Sequence, residues 1–498
     1  MISGRGACGL CVLAPPSHSG GAGMQDWTAT VHGEHSEQEV LRVERLLELN
    51  HVEYTHIEEK NPDTVRVELT PSGGGQTVIV NGFDLGELTA HLKLNTYTKK
   101  DSYDLVVVGS GPAGMSAALN AKTLFGWTTL IVEDNAPGGA AGTALNPINN
   151  YLGIPAGTKA LDLAHTWMGQ INAAGVEWLP GCRATAITQI EDPRKTGTED
   201  SSLYPTYKLA IQRTDGKGPV DLYAGMVLIA AGLKPNRLGC TGEEQYLGRG
   251  VYYGTLPTDI ARARKERVIG IVGAGDTASV AAILLAEEKA KDPAQRLQVA
   301  MFVRGKFGKD TIPGNVDRVR EYVDRQFITV HEGTEVFSCL GKDRKLTGVE
   351  FGKTGHPESV EPLDLTALYV LTGGVADTQW LQGIGLRIVS DEDVKQRRYR
   401  KAGAVITGGI DSKLGSLTTT GVDAIFAAGD VREGAVRRIA AAVGEGGAAS
   451  LDMNAYLVTD GTWQTAIKEG TALYKYYEAT APRNLGSVAV LGGDALAP

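Results

Sequence analysis

Two short runs in this 498-residue sequence have the residue types and spacing to cradle a diphosphate. They are Gly109-Ser110-Gly111-Pro112-Ala113-Gly114 and Gly273-Ala274-Gly275-Asp276-Thr277-Ala278. The first glycine of each run permits a tight turn. The second lets backbone approach a phosphate, and the third small residue lets a helix pack on the strand before it. A helix starting there offers unpaired N–H groups and the positive end of its dipole to an anion. Glu133 closes the strand that follows the first run, where a carboxylate can hold ribose hydroxyls. Further on, IFAAGDVREGAVRRIAAAVGEG contributes Gly429 and Asp430, the acid being placed to accept hydrogen bonds from a ribityl chain. The helix that begins near Arg438 and Ile439 can aim its N-terminus at the N1–C2 edge of a flavin. The strand after the second run ends in Arg304, Lys306 and Lys309. These cations read either as partners of a 2′-phosphate or as a solvated basic loop.

Each turn has to sit between a buried strand and a helix, and the sequence supplies both. DLVVVGSGPAGMSAALNAKTLFGWTTLIVED reads as strand, glycine turn, helix and second strand. RVIGIVGAGDTASVAAILLAEE repeats the first three of these. The repeat predicts an α/β protein with two Rossmann-like dinucleotide-binding domains. Ahead of them lies a third pattern. A strand over 27–31 is followed by a helix over 36–50, with Ser36 as N-cap and Val40, Val43, Leu46 and Leu47 at helical spacing. Strands near 52–57 and 65–69 lead to the hairpin-like TVIVNGFDL, with a turn at Asn81-Gly82, and a helix near 85–93. This β-α-β, hairpin, helix order predicts a thioredoxin-fold domain. The expected division is a disordered leader 1–26, that domain at 27–95 and a polar linker 96–103. Then come a first dinucleotide part 104–235, a second dinucleotide domain 236–370, a return to the first at 371–457, and an extension 458–498.

Composition removes several alternatives. A net charge of −9 argues against a general nucleic-acid binder, which carries a basic face. No apolar run approaches the roughly 20 residues of a membrane helix. The five cysteines, Cys8, Cys11, Cys182, Cys240 and Cys339, are too few and too scattered for a disulfide scaffold and suit a reducing cytoplasm. Cys240 reads as a buried or lone thiol, and Cys182 and Cys339 as core residues at strand ends. The histidines form no cluster with metal-ligand spacing.

With these motifs in order, residues 102–457 resemble the low-molecular-weight thioredoxin reductases, a family of FAD- and NAD(P)H-dependent flavoproteins. GSGPAGMSAAL is similar to the family's FAD turn, and PGGAAGTALNPINNYLGIP to the segment that passes the flavin. GMVLIAAGLKPNRLGCTGE is similar to its crossover, GAGDTA to its pyridine-nucleotide turn, and IFAAGDVREGAVRRIAAAVGEGGAA to its closing flavin motif. The resemblance implies that Gly109, Gly111, Pro112, Ala113, Gly114, Glu133, Asn150, Gly429, Asp430, Arg438 and Ile439 hold FAD. It implies that Gly273, Gly275, Asp276, Thr277, Ala278 and Arg304 meet NADPH or NADH, with a second flavin as the other option. It also implies a homodimer and a redox protein or small molecule as electron acceptor.

The departures are as informative. The family's Cys-x-x-Cys positions correspond to Gly254 and Pro257, in Gly250-Val251-Tyr252-Tyr253-Gly254-Thr255-Leu256-Pro257-Thr258-Asp259. Asp259 stands near the family's acid. Without a thiol there, no thiolate can attack a disulfide. Residues 27–93 are similar to glutaredoxin, best over VIVNGFDLGELTAHL, with Glu37 and Val40 where its thiols fall and Gln76 where its cis-proline falls. Three readings follow. The first is an FAD-dependent oxidoreductase passing electrons from a nicotinamide to a non-dithiol acceptor. The second is a disulfide reductase using Cys8 and Cys11. The third is a flavin-binding sensor or assembly protein without turnover.

Overall fold

Alternating burial along the first ordered run marks a half-buried strand. In the computed structural model it is β1 (Trp27–Gly33), with Ala29 and Val31 turned inward. The structure describes residues 27–459 apart from 34–39, 41–42, 44–46, 48–51, 60–64, 82–87, 89–90, 92–97, 99, 135–136, 144–147, 191–206, 214–218, 248, 254–267, 293–295, 310, 343–344, 397–401 and 409–415. Strands β2 (Glu53–Glu58), β3 (Arg66–Pro71) and β4 (Val78–Asn81) join β1 in the order β2-β1-β3-β4. β1 and β2 are parallel and the other pairs antiparallel. That is the order expected from β-α-β followed by a hairpin. Val40, Val43 and Leu47 have helical backbone and are fully buried, as their spacing predicts. A hairpin between β3 and β4 closes through the glycines at 73–75, where Gly74 has φ +83° and its N–H donates to Pro71 O at 3.0 Å. The turn expected at Asn81-Gly82 comes after β4. Residues 82–87, including Gly82, lie outside the described residues.

The unbroken apolar run before the first glycine turn has no polar face, as expected of a central parallel strand covered on both sides. It forms β5 (Ser102–Val108), buried from Tyr103 to Val108. There follow α1 (Pro112–Phe125), β6 (Thr129–Glu133), α2 (Ala160–Ala173), β7 (Glu177–Pro180), β8 (Cys182–Gln189), β9 (Tyr207–Arg213) and β10 (Val220–Ile229). The sheet order is β7-β6-β5-β10-β9-β8. Val108 lies opposite Val132 on one side and Ile229 on the other, so three strand ends converge at the first turn.

Beyond a short crossover strand, β11 (Lys234–Pro235), a second sheet is built. Its parts are β12 (Val251–Tyr253), β13 (Val268–Val272), α3 (Asp276–Lys291), β14 (Gln298–Val303), α4 (Pro313–Asp324) and β15 (Ile328–Glu332). The meander β16 (Thr334–Lys342), β17 (Lys345–Lys353) and β18 (Val360–Asp364) precedes β19 (Ala367–Val370). The parallel order is β12-β19-β13-β14-β15, and the meander forms its own antiparallel sheet. The chain returns through β20 (Gly374–Val375), which pairs with β11. It then adds β21 (Ile425–Ala427) beside β10 and ends in α5 (Ile439–Thr459). Two Rossmann-like sheets are present, as predicted. Among the described residues no helix is long and apolar enough to cross a membrane, and no group of His, Cys, Asp or Glu has metal-ligand geometry.

Candidate dinucleotide-binding sites

The first turn is built by close backbone approach. Gly109 has φ +109°, and a Cβ there would stand 2.3 Å from Ala230 O on the neighbouring strand's exit. Gly114 is tighter: a Cβ would stand 2.0 Å from Gly109 O. Gly111 is different. A Cβ at Gly111 would meet nothing within 4 Å, so protein packing does not require glycine there and open space lies before it. Gly111 is the N-cap of α1, Pro112 opens the helix, no side chain caps it and its first turn holds no acid. Unpaired N–H groups beside open space form a cradle suited to a phosphate.

Glu133 is buried, and its Oε2 accepts from Ser110 N at 2.7 Å and from Ser110 Oγ at 2.6 Å. The residue expected to hold ribose thus also fixes the turn. Gly138 N donates to Ser110 O at 3.1 Å, and a Cβ on Gly139 would stand 3.0 Å from Gly111 Cα. The PGGAAG segment therefore packs directly on the turn.

The closing motif reaches the same place from the far end of the chain. Gly429 has φ +78°, and a Cβ there would stand 3.0 Å from Ala113 Cβ. Gly429 N donates to Glu445 Oε2 at 2.7 Å. Arg432 is buried and binds both oxygens of Glu445, Nε to Oε2 at 2.9 Å and Nη2 to Oε1 at 2.7 Å. α5 crosses α1 where a Cβ on Gly446 would stand 2.1 Å from Ala113 O, and Ser116 Oγ donates to Val443 O at 2.8 Å. Ile439 opens α5, as predicted. The structure thus brings Gly109, Gly111, Pro112, Ala113, Gly114, Glu133, Gly429 and the Val443–Gly446 part of α5 together, with Asp430 following Gly429. Arg438 is exposed, with Nη1 donating to Arg437 O at 2.9 Å. Asn150 is exposed in a loop beside the Ile148–Thr158 bridge. The sequence reading missed Arg432 and Glu445 as a pair and Gly446 as a contact point. All three stand in the quoted motif, but nothing in their spacing identifies their partners.

The second turn repeats the plan with differences. Gly273 has φ +138°, and a Cβ would stand 2.6 Å from Leu371 O. Gly275 caps α3 without a side-chain bond, and a Cβ there would also meet nothing within 4 Å. Ala278 is fully buried, and its Cβ lies 3.3 Å from the place a Gly273 Cβ would take. Asp276 Oδ1 accepts from Ile312 N at 2.8 Å and from Asn315 Nδ2 at 3.0 Å, which ties the start of α4 to the turn. Thr277 and Arg304 are exposed, as are Lys306 and Lys309.

Between the two turns, the crossover is organised by Glu243, a buried carboxylate. It accepts from Gly239 N at 2.6 Å, Tyr253 Oη at 2.7 Å and Arg237 Nε at 2.6 Å. Burial and the hydrogen bond to Glu243 hold the Tyr253 phenol above its usual range. Tyr253 ends β12. Gly254, Pro257 and Asp259 come next in sequence and lie outside the described residues, as do Cys8, Cys11, Glu37 and the extension beyond 459.

A profile of the pyridine nucleotide-disulphide oxidoreductases matches residues 103–446, more than half of the chain. The chain is 28% identical over 375 residues to a thioredoxin reductase of Listeria monocytogenes, covering 71% of this chain and 94% of that protein. It is 27% identical over 383 residues to an alkyl hydroperoxide reductase component of Escherichia coli, covering 77% of this chain and 63% of the relative. The crystal structure of T. acidophilum thioredoxin reductase shares the fold, with a TM-score of 0.53 at 22% identity, covering 72% of this chain and 100% of that one.

Proposed function

This chain belongs to the pyridine nucleotide-disulphide oxidoreductase family, and from that premise we propose an FAD-dependent oxidoreductase that draws on NADPH or NADH and serves a non-dithiol acceptor. The observation that carries the reading is the pair of open cradles at Gly111 and Gly275, each at an uncapped helix start. Gly111, Ala113 and Gly114 present backbone N–H groups to a diphosphate, in a turn shaped by Gly109 and Pro112. Glu133 faces ribose, and Asp430 takes a ribityl hydroxyl. The first turn of α5, at Arg438 and Ile439, sets a positive dipole end near the flavin ring. Gly273, Gly275, Asp276, Thr277 and Ala278 receive the nicotinamide dinucleotide, with Arg304 beside its adenosine end. FAD, when bound, supplies two-electron acceptance and onward electron transfer.

The sequence supports a non-dithiol acceptor. Residues 254–259, Gly-Thr-Leu-Pro-Thr-Asp, hold no thiol, so this segment supplies no sulfur for disulfide exchange. A quinone, dioxygen or a protein carrier fits that chemistry. Residues 27–95 also contain no cysteine and serve as a glutaredoxin-like binding module. The strand order β2-β1-β3-β4 supports this reading.

Anaerobic stopped-flow absorbance tests it. NADPH or NADH should bleach the flavin absorbance of the purified protein, and a quinone or dioxygen should restore it. Thioredoxin should not. A robust NADPH-dependent rate with thioredoxin in a Cys8→Ser/Cys11→Ser variant would overturn the acceptor assignment. Folded Gly111→Val protein with full flavin content would overturn the FAD site.

A further inference from the structure

Cys240 and Cys339 are 99 positions apart in sequence, yet their sulfurs lie 3.7 Å apart. Sequence alone makes Cys240 a buried or lone thiol and Cys339 a strand-end residue. Cys240 is corrected, being half-buried beside a partner, while Cys339 is the core residue expected but lies inside β16 rather than at its end. The approach is enforced by backbone. Cys240 sits between Gly239 at φ +69° and Gly242 at φ +79°. Thr241 N donates to Phe337 O at 3.1 Å, and Cys339 N donates to Thr241 O at 2.7 Å. A Cβ on Gly242 would stand 2.4 Å from Cys339 O, so the loop is held flat against the strand. A register irregularity in β16 falls between Val336 and Ser338, next to the pair.

We propose that Cys240 and Cys339 form a peroxide-reactive thiol pair, closing to a reversible disulfide that staples the crossover to β16. The two sulfurs differ. A hydrogen bond from Cys339 lowers the Cys240 thiol's pKa, with burial opposing. The same bond, then burial, holds the Cys339 thiol high. Cys240 is also the more exposed, and a small neutral hydroperoxide suits a half-buried sulfur better than a protein disulfide does. The Cys240 thiolate attacks the hydroperoxide, an S–O bond forms, the O–O bond breaks, and the departing alkoxide or hydroxide takes up the proton that the Cys240 thiol released, leaving as alcohol or water. Cys339 sulfur then attacks Cys240 sulfur. The S–S bond forms, the S–O bond breaks, and the Cys339 proton leaves with hydroxide as water. The thiol pair loses two electrons and the peroxide gains them. The sulfurs must close from 3.7 Å to about 2 Å.

The test uses full-length, flavin-loaded Cys8→Ser/Cys11→Ser protein, which keeps Cys182, Cys240 and Cys339. Hydrogen peroxide is followed by alkylation and peptide mass spectrometry. The free-thiol count should fall from three to one. A peptide pair joining Cys240 to Cys339 should appear, lighter by two hydrogens, and dithiothreitol should reverse both changes. Adding Cys339→Ser should stop the reaction at a dimedone-trapped sulfenic acid on Cys240. Adding Cys240→Ser should leave Cys339 alkylatable. Three surviving thiols, a bond to Cys182, or irreversible oxidation would each overturn the pair. Sulfenic acid on Cys339 in the Cys240→Ser protein would overturn the assigned order of attack.

Discussion

The two glycine turns share a pattern and differ in construction. At the first, helix and strand are so close that a Cβ on Gly114 would meet Gly109 O at 2.0 Å; at the second, Ala278 fits the equivalent place with its methyl. The first helix start carries no acid, whereas the second carries Asp276, spent on holding Ile312 and Asn315. The first turn is locked from behind by Gly429, Glu445 and Arg432, residues more than 300 positions away in sequence. One motif thus serves a tightly clamped site and a looser one. A clamped site suits a cofactor that stays, and a looser one suits a ligand that exchanges.

Removing the clamp should have the largest effect. Arg432→Met leaves the Glu445 carboxylate buried without its guanidinium. Breaking a buried pair in this way costs about 3–5 kcal/mol. Urea unfolding should show this loss together with loss of flavin, and a variant of wild-type stability would remove the clamp from the comparison. Next comes the third position of each turn. Gly114→Ala should cost about 3 kcal/mol through backbone overlap, and Ala278→Gly about 1 kcal/mol through helix propensity. Equal costs in thermal unfolding would show that the two turns are built alike.

The strand beneath the first turn also carries a titrating carboxyl. Asp104 Oδ2 accepts from Thr128 N at 2.6 Å and Thr128 Oγ1 at 2.8 Å, while Oδ1 has no partner. Burial pushes its pKa up to about 6, against the hydrogen bonds from Thr128 that lower it. The folded state therefore keeps this proton after the unfolded chain has lost it. The contribution is favourable below about pH 4 and is withdrawn as pH rises through 6, a span of about 3 kcal/mol. Asp104→Asn should flatten that component, so its stability relative to wild type should rise from pH 4 to pH 7. A difference that does not change with pH would remove Asp104 as the cause. β13, Val268–Val272, contains no carboxylate to match. The smallest effect belongs to Asp276→Asn, which keeps an acceptor for Ile312 N while removing charge from the start of α3. An acid in the first turn stabilises a helix by about 0.3–1 kcal/mol, so the variant should lose that much in thermal unfolding. An unchanged midpoint would show that the Asp276 charge does not act on the helix start.

Much of this was legible in sequence. The strand, glycine turn and helix around Gly109 and Gly273 were readable because each depends on neighbours a few residues apart. The helical positions Val40, Val43 and Leu47 follow the same local rule. The β3–β4 hairpin through the glycines at 73–75 was not legible, because register depends on the partner strand.

The sequence by itself determined the fold class, the two glycine turns and the absence of cysteine from residues 254–259. Periodicity and residue type are properties of adjacent positions. Tertiary structure alone decided that Glu445 anchors Gly429, that Gly446 abuts Ala113 and that Asp276 holds α4. It also decided that Cys240 meets Cys339 across 99 positions. Such contacts form only after long loops close and sheets pack, and spacing along the chain does not encode which distant atoms are then brought within bonding distance.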